Sequence, residues 1–351
     1  MKTNYLKMLS YLTVLSLLFI SNNIFADDFT KVIEQQYNVD ATKCFKITNK
    51  FGKIHIENWD SDKLSITVTI TVDASNQEKA DDFFEKISIN FSEVDTLISA
   101  ITDFESTISN SEFSIDYKIF MPKYLKLNLL NSYGDVYIHE LTGKSLIEVK
   151  FGSLIAEKLI FGESKPRSGI ILSYSTATIK QCDWLKLQLS FSEINITESE
   201  ALIIKSKYSD INVTKANSIV TDSKYDNPFE IEELENFVCE GEYSDYKIGK
   251  LKNILKADLK YCNLEISDVS NYFTSCTLIM SYGNATIDIN DAASYKIKAD
   301  SEYGNITFPE GNNISENSDK SLSNFDGYIG TDKTTKSTVT VDSKFADIEF
   351  E

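Results

Sequence analysis

The chain has 351 residues, with 53 Asp and Glu against 35 Lys and Arg, and a formal net charge of −18. This excess of acid argues against nucleic acid or an anionic membrane surface as a partner, because both select for Lys and Arg. With only two His, four Pro and 13 Gly, the chain has little material for metal centres, phosphate-binding loops or histidine catalysis. We therefore predict no catalytic, cofactor-binding or metal-ligating residue.

Residues 1–26 are typical of a secretory signal peptide. Lys2 and Lys7 form the positive start, residues 8–20 are apolar, and residues 21–26 end in the small Ala26. The apolar stretch is shorter than the about 20 residues that a membrane-spanning helix needs, and a retained N-terminal anchor is the alternative. Loss of the two lysines leaves 33 basic residues against 53 acidic, a charge of −20. We expect an exported protein, located in the periplasm, at the cell surface or outside the cell.

Residues 27–126 predict a β-rich cap with one helix. Residues 63–72 alternate between apolar and polar side chains, as a half-buried strand does. Ser75 and Glu78 match a capping box, which predicts a helix over about 76–87 with Ala80, Phe83, Phe84 and Ile87 on one face. Further strands are expected at 87–91, 96–103 and 113–120. We interpret this region as a cap over an otherwise unpaired sheet edge, which would invite aggregation if it were left open.

Residues 127–308 contain a six-residue phrase that recurs every 17–23 residues and reads aromatic, small, polar, apolar, variable, apolar. It also occurs once before this region and once after it. The twelve copies begin at Phe51, Tyr133, Phe151, Tyr174, Phe191, Tyr208, Tyr225 (a distorted copy), Tyr243, Tyr261, Tyr282, Tyr303 and Phe345. Such a period is the mark of a repeat architecture, in which one unit buries its apolar face only by stacking on its neighbours.

The phrase predicts two short strands that meet at a corner. Before Phe191, Leu187 and Leu189 alternate with polar residues, and the aromatic continues this pattern, so we expect the rings to form an internal column. Small and Asp or Asn residues after the ring suit a bend. The predicted fold class is all-β, a parallel β-helix-like solenoid with coils of about 17–21 residues. A β-propeller lacks the required period of about 40 residues, and an antiparallel sandwich would not require the same phrase at each turn.

Three segments depart from the regular pattern. Residues 162–169 are predicted to protrude between two coils, and Pro228 removes a backbone donor, which predicts a local bulge in the Tyr225 coil. Residues 309–336 are predicted to be a polar loop, followed by a final coil at 337–351.

The cysteines at 44, 182, 239, 262 and 276 lack the close spacing of a disulfide framework or a metal site. We expect most of them to be small buried hydrophobes, and a single disulfide is the alternative. His55 and His139 fall in strand segments and are expected to face solvent.

The sequence resembles the exported bacterial β-strand-repeat proteins named putative adhesins. The resemblance rests on residues 49–59 (NKFGKIHIENW), the alternating strand at 64–72, the acidic helix, Met121-Pro122 and residues 131–136 (NSYGDV). It covers most of the mature chain. It implies a β-helix-like, non-catalytic protein outside the cytoplasm and supplies no functional residue.

Three functions are compatible with these features of the sequence. The first is a structural or adhesive module whose outward residues, such as Lys207, Asn212, Thr214, Lys247 and Lys260, contact a cell-surface protein or polysaccharide. The second is a polysaccharide-binding protein or polysaccharide-processing enzyme that uses Asp210 and Asp245, two coils apart, as paired carboxylates. The ordinary role of these aspartates is to accept hydrogen bonds from corner backbone groups. The third is cation binding, for which the sequence contains no calcium-loop motif. We predict the first, with no enzymatic activity and no cofactor.

Overall fold

The computed structural model describes residues 27–105, 112–161, 168–309 and 313–351. The predicted signal peptide and residues 162–167 of the predicted protrusion at 162–169 lie outside the described residues. Within them the chain is all-β, with 24 strands in one long, unclosed sheet and one helix.

The N-terminal part contains seven strands and the helix. Their bounds are β1 Asp27–Asn38, β2 Cys44–Lys50, β3 Ile54–Asn58, β4 Lys63–Ala74, α1 Gln77–Phe84, β5 Ile87–Val94, β6 Leu97–Phe104 and β7 Phe113–Met121.

The repeats contribute fourteen strands, many of which continue from one copy of the phrase into the next. They are β8 Lys126–Ser132, β9 Val136–Leu141, β10 Ser145–Lys150, β11 Ser153–Leu159, β12 Gly169–Ser173, β13 Thr176–Ser190, β14 Glu193–Lys207, β15 Asp210–Lys224, β16 Phe229–Glu242, β17 Asp245–Lys260, β18 Asn263–Val269, β19 Ser275–Ile289, β20 Tyr295–Glu302 and β21 Ile306–Thr307. The C-terminal part adds β22 Asn313–Asp319, β23 Leu322–Ile329 and β24 Thr338–Phe350.

Successive repeats pair in parallel through corresponding positions, as predicted. In β14 and β15, Ile194 pairs with Ile211 and Ile204 pairs with Thr221. The register step is therefore 17 residues on both sides of the corner. The same pairing joins β13 to β14, β15 to β16 and β16 to β17. Because the alternation of inward and outward side chains stays in register from strand to strand, the inward Ile, Leu and Val side chains form one continuous buried core.

The Tyr225 repeat has one extra residue at its corner. Phe229, the fourth residue after Tyr225, pairs with Ile211, which is the third residue after Tyr208. Strand pairing resumes only after Pro228, whose carbonyl accepts a hydrogen bond from the Ile211 N–H at 3.0 Å. The bulge predicted from the proline is confirmed.

Three antiparallel pairings end the sheet on the N-terminal side. β1 pairs with β4, which pairs with β7, and β5 pairs with β6. Helix α1 connects β4 to β5 and buries Ala80, Phe83 and Phe84 in the core.

The helix is shorter than predicted, and Asn76 caps it instead of Ser75. The Asn76 Oδ1 accepts a hydrogen bond from the Lys79 N–H at 3.0 Å, a role that Asn fills as well as Ser. At the other end, Ile87 already belongs to β5 and pairs with Phe104. Pairing in the sheet thus overrides the helical periodicity at Ile87.

The prediction of a polar loop over residues 309–336 is wrong for much of that segment. β22 and β23 form an antiparallel hairpin, and β23 pairs antiparallel with β20. Most of its side chains are exposed, while Phe325 is buried. A strand at the edge of a sheet can carry polar residues on both faces, so the apolar alternation that indicates a strand is missing.

The final repeat is also not the last in space. β24 pairs in parallel with β19 on one side and with β20 on the other. It therefore lies between the Tyr282 and Tyr303 repeats. The antiparallel pairing of β23 already occupies the outer side of β20, which leaves β24 the position between β19 and β20.

Candidate functional site: the aromatic ladder and its flanking rows

The twelve aromatic residues that open the repeats form one continuous stack, which we call the aromatic ladder. Its order in space is Phe51, Tyr133, Phe151, Tyr174, Phe191, Tyr208, Tyr225, Tyr243, Tyr261, Tyr282, Phe345 and Tyr303. Neighbouring ring centroids lie 4.8–5.2 Å apart and their planes differ by at most 21°. The ladder spans about 53 Å, taking about 4.8 Å for each step between strands.

The ladder lies on the outside of the protein, so the predicted internal column is wrong. Eleven of its twelve side chains are between 40% and 56% exposed. The reason is the backbone, because all twelve residues have φ between 51° and 63°. This left-handed conformation breaks the alternation and turns the ring outward, where an extended residue would have pointed inward. The small residue after each ring takes the inward position instead, as Ser209 does after Tyr208.

Stacking offsets the cost of this conformation. A left-handed residue other than Gly costs about 1–2 kcal/mol, and each aromatic pair contributes about 0.5–1.5 kcal/mol. Lys50, Lys207, Lys260 and Lys344 add cations 4.7–5.7 Å from the centroid of the ring that follows each of them.

The ring faces inside the ladder are covered by neighbouring rings. What the ladder offers to a partner is therefore ring edges and tyrosine hydroxyl groups. Flat stacking of a sugar or a base on these rings would require a free face, so the ladder itself is mainly a stabilising element.

Beneath the ladder, the small residues form a chain of hydrogen bonds that we call the corner spine. Each backbone N–H donates to the side chain of the corresponding residue in the next repeat. The donors and acceptors are Ser175 to Ser192 (3.2 Å), Ser192 to Ser209 (3.3 Å), Ser209 to Asp226 (2.8 Å), Asp226 to Ser244 (3.1 Å) and Ser244 to Cys262 (3.4 Å). The spine satisfies donors that the corner removes from the strand ladders.

Asp226 is the one carboxyl group of this spine, and it is fully buried. Its Oδ2 accepts a hydrogen bond from the Ser206 hydroxyl at 2.5 Å, and its Oδ1 accepts the Ser209 N–H. Burial raises the pKa of Asp226 to about 6, and the two hydrogen bonds oppose this rise only in part. The sequence showed Asp226 only as part of a distorted copy, because the distortion hides its equivalence to Ser209 and Ser244.

The polar residues two positions after each ring form the corner row, and several of them accept hydrogen bonds at the corner, as expected for Asp245. The Asp135 Oδ1 accepts the Ser153 N–H at 3.2 Å. The Asp245 Oδ1 accepts the Asn263 N–H at 3.3 Å and its amide at 2.8 Å, and the Asp245 Oδ2 accepts the Asn227 amide at 3.1 Å.

Asp210 and Asp245, the paired carboxylates of the alternative enzyme hypothesis, are not neighbours in the structure. Both Asp245 oxygens already accept hydrogen bonds from the corner row, and Asn227 lies between Asp245 and Asp210 in the pairing order. The geometry gives Asp245 a role in the corner.

The remaining predicted positions lie on the surface. Lys207, Thr214, Lys247 and Lys260 are exposed and Asn212 is half-buried. His55 and His139 are exposed as well, and His55 stacks on Tyr137 with ring centroids 4.6 Å apart. Among the described residues, no three His, Cys, Asp or Glu side chains are grouped so that they could hold a metal ion.

All five cysteines are free, and four of them are buried, as predicted. Burial raises the pKa of Cys182 to about 11 and that of Cys276 to about 12.

No helix in the described part of the chain has the length and apolar character needed to span a membrane.

No protein-family model matches the sequence, and neither does any curated protein. Similar solved structures include a putative adhesin from Bacteroides fragilis, 13% identical, which covers 92% of this chain and 97% of its own with a TM-score of 0.34. A putative adhesin from Parabacteroides merdae is 12% identical over 92% and 96% of the two chains, with a TM-score of 0.32. A putative lipid binding protein from Parabacteroides distasonis is 12% identical over 92% and 97%, with a TM-score of 0.29. The similarity to putative adhesins noted in the sequence is thus also found among solved structures, and at these TM-scores it does not indicate what this chain binds.

Proposed function

We propose that this chain is an exported, non-enzymatic protein whose repeats form a β-solenoid and present a rigid surface for contacts at the cell envelope or outside the cell. The observation that carries the proposal is the constant parallel register of the repeats. From the Phe51 repeat to the Tyr303 repeat, equivalent residues face outward in rows along the whole ladder.

Several features support a rigid surface. In the central strands, backbone hydrogen bonds join each repeat to a neighbour on both sides. The ladder on the outside and the corner spine beneath it add a second and a third column of contacts between the same repeats. Local opening of one repeat must break its backbone hydrogen bonds, its ring stacking and its part of the corner spine. The surface therefore keeps its shape without needing a large globular core.

The antiparallel strands at the N-terminal end and the β22–β23 hairpin support the solenoid part of the proposal. A stack of parallel strands leaves an open edge at each end, and such an edge would pair with other chains. We assign a capping role to β1, β4–β6 and α1 at one end, and to the hairpin at the other.

Fractionation of the cells that produce the protein, combined with protease treatment of intact cells, tests this proposal. We expect a chain cleaved after about residue 26, recovered from the envelope or the medium and binding to isolated envelope material. An uncleaved chain confined to the cytoplasm, or a cleaved chain that binds no envelope material and no neighbouring cell, would overturn the proposal.

A further inference from the structure

The outer face beside the distorted Tyr225 repeat contains a groove of about 570 Å³. It is lined by four successive repeats and runs across the strands, parallel to the aromatic ladder. Three steps between strands give it a length of about 14 Å.

Two rows of outward side chains form the walls of the groove. One wall is the corner row, Asn227, Asp245, Asn263 and Asn284. The other wall, which we call the charged row, consists of Glu230, Lys247, Glu265 and Thr286, which pair in register from one strand to the next. Alternate residues of a strand lie about 6.6 Å apart, so the two walls follow neighbouring outward rows of the same strands. The floor is the backbone of Tyr246 and Leu264, whose side chains are buried.

The corner row is held in place by its own hydrogen bonds and keeps unused capacity. The Asn227 and Asn263 amides donate to Asp245, and the Asn284 amide donates to Asn263 at 3.4 Å. Each of these bonds uses one of the two N–H groups of an amide. The second N–H of each asparagine therefore remains available, on a wall whose geometry is fixed.

The charged row supplies the complementary groups. In the described part of the chain, Glu230, Lys247 and Glu265 form no ion pair with one another, although they are neighbours in the pairing order. The groove thus carries amide and ammonium donors together with carboxylate acceptors. A hydroxyl group, which both donates and accepts, matches this mixture.

We infer that the groove binds a linear, uncharged, β-linked polysaccharide, with about one sugar for each repeat. This inference rests on the proposed function and names the class of partner. An extended β-linked chain advances along its axis by a step similar to the spacing of the strands, so successive sugars meet equivalent pairs of wall residues. A polyanion would be repelled by the carboxylates of Glu230, Asp245 and Glu265 and by the net charge of −18.

Calorimetric titration of the mature protein with β-1,4-linked oligomers of glucose, xylose and N-acetylglucosamine, each from two to six units, tests the inference. We expect at least one series to bind, with an affinity that rises up to about four units and then levels off. Carboxymethylated oligomers of the same length should bind at least tenfold more weakly.

Matched variants locate the site. Lys247→Ala and Glu265→Ala remove exposed groups of the charged row, and each should weaken binding by about tenfold or more, the ratio that corresponds to a lost charged hydrogen bond. Lys256→Ala and Glu235→Ala remove exposed side chains outside the groove and should leave the affinity unchanged.

The inference is overturned if none of the three series binds, or if the double variant Lys247→Ala/Glu265→Ala binds as tightly as the unmodified protein. Binding to envelope material that persists in either case would leave the proposed function standing. If the unmodified protein binds neither the oligomers nor envelope material, the proposed function is overturned as well.

Discussion

The buried carboxyl group of Asp226 makes a quantitative prediction about stability. Its pKa is raised from 3.8 to about 6 in the folded protein, so the folded state binds the proton more tightly than the unfolded state does. The resulting stability is present in full below pH 3.8 and is lost as the pH rises through about 6. A shift of about two units corresponds to about 3 kcal/mol.

Replacement of Asp226 by Asn should remove this loss. The Asn oxygen can accept the Ser209 N–H, and its amide can donate to the Ser206 hydroxyl, so both partners of the carboxyl group are kept. At pH 7.5 we expect Asp226→Asn to be more stable than the unmodified protein by up to about 3 kcal/mol, and at pH 4 the two should be nearly equal.

Urea unfolding followed by circular dichroism from pH 4 to pH 8 measures the difference. Exchange of the Ser209 amide hydrogen, which bonds to Asp226 directly, reports the same effect locally. Asp342→Asn is the matched control, because this exposed side chain lies four repeats from Asp226 and should change the pH dependence little. The reasoning is refuted if Asp226→Asn is less stable at pH 7.5, or if it keeps the pH dependence of the unmodified protein.

Three further predictions follow from the ladder, the corner and the cysteines. Tyr208→Ala should cost about 1–3 kcal/mol in urea unfolding, because the ring stacks on both Phe191 and Tyr225. Tyr208→Gly should cost less than Tyr208→Ala, since Gly adopts a φ of 52° without strain, and a more stable Ala variant would contradict this. Gly134→Ala should destabilise by at least about 1–3 kcal/mol, since a Cβ would lie 2.0 Å from the Gly52 carbonyl oxygen. Gly169→Ala, where the nearest atom is 3.4 Å away, is the control and should be nearly neutral in the same assay. In the folded protein at pH 8, Cys44 should react with a maleimide first and Cys276 only after unfolding. Mass spectrometry of the labelled peptides should show this order, and equal rates would count against the burial of Cys276.

The repeat and its parallel pairing could be predicted from the sequence because they depend on periodicity alone. Phe191-Ser-Glu-Ile and Tyr208-Ser-Asp-Ile place equivalent residues 17 positions apart, and a stacked arrangement is the direct consequence. The role of Asp245 at the corner followed from the general chemistry of Asp in turns.

The position of the aromatic rings could not be read in the same way. Alternation before Tyr208 places its ring inside, and only a left-handed backbone at that residue turns it out. The small, buried residue after each ring was the available signal, since Ser209 fits where a ring would not. The place of the Phe345 repeat is equally hidden, because its phrase is compatible with any level of the ladder.

Spin-label distances test the central claim, the stacking of repeats in parallel register, most directly. Gln188, Asp258, Asp342 and Asp300 are exposed and occupy the same outward row. With labels at introduced cysteines in a Cys44→Ser background, we expect distances from position 188 of about 19 Å to 258, 29 Å to 342 and 34 Å to 300, at about 4.8 Å for each strand. Position 342 should thus be nearer than position 300, although it comes later in the sequence. Distances that do not grow in this order, or that place position 342 beyond position 300, would contradict the account.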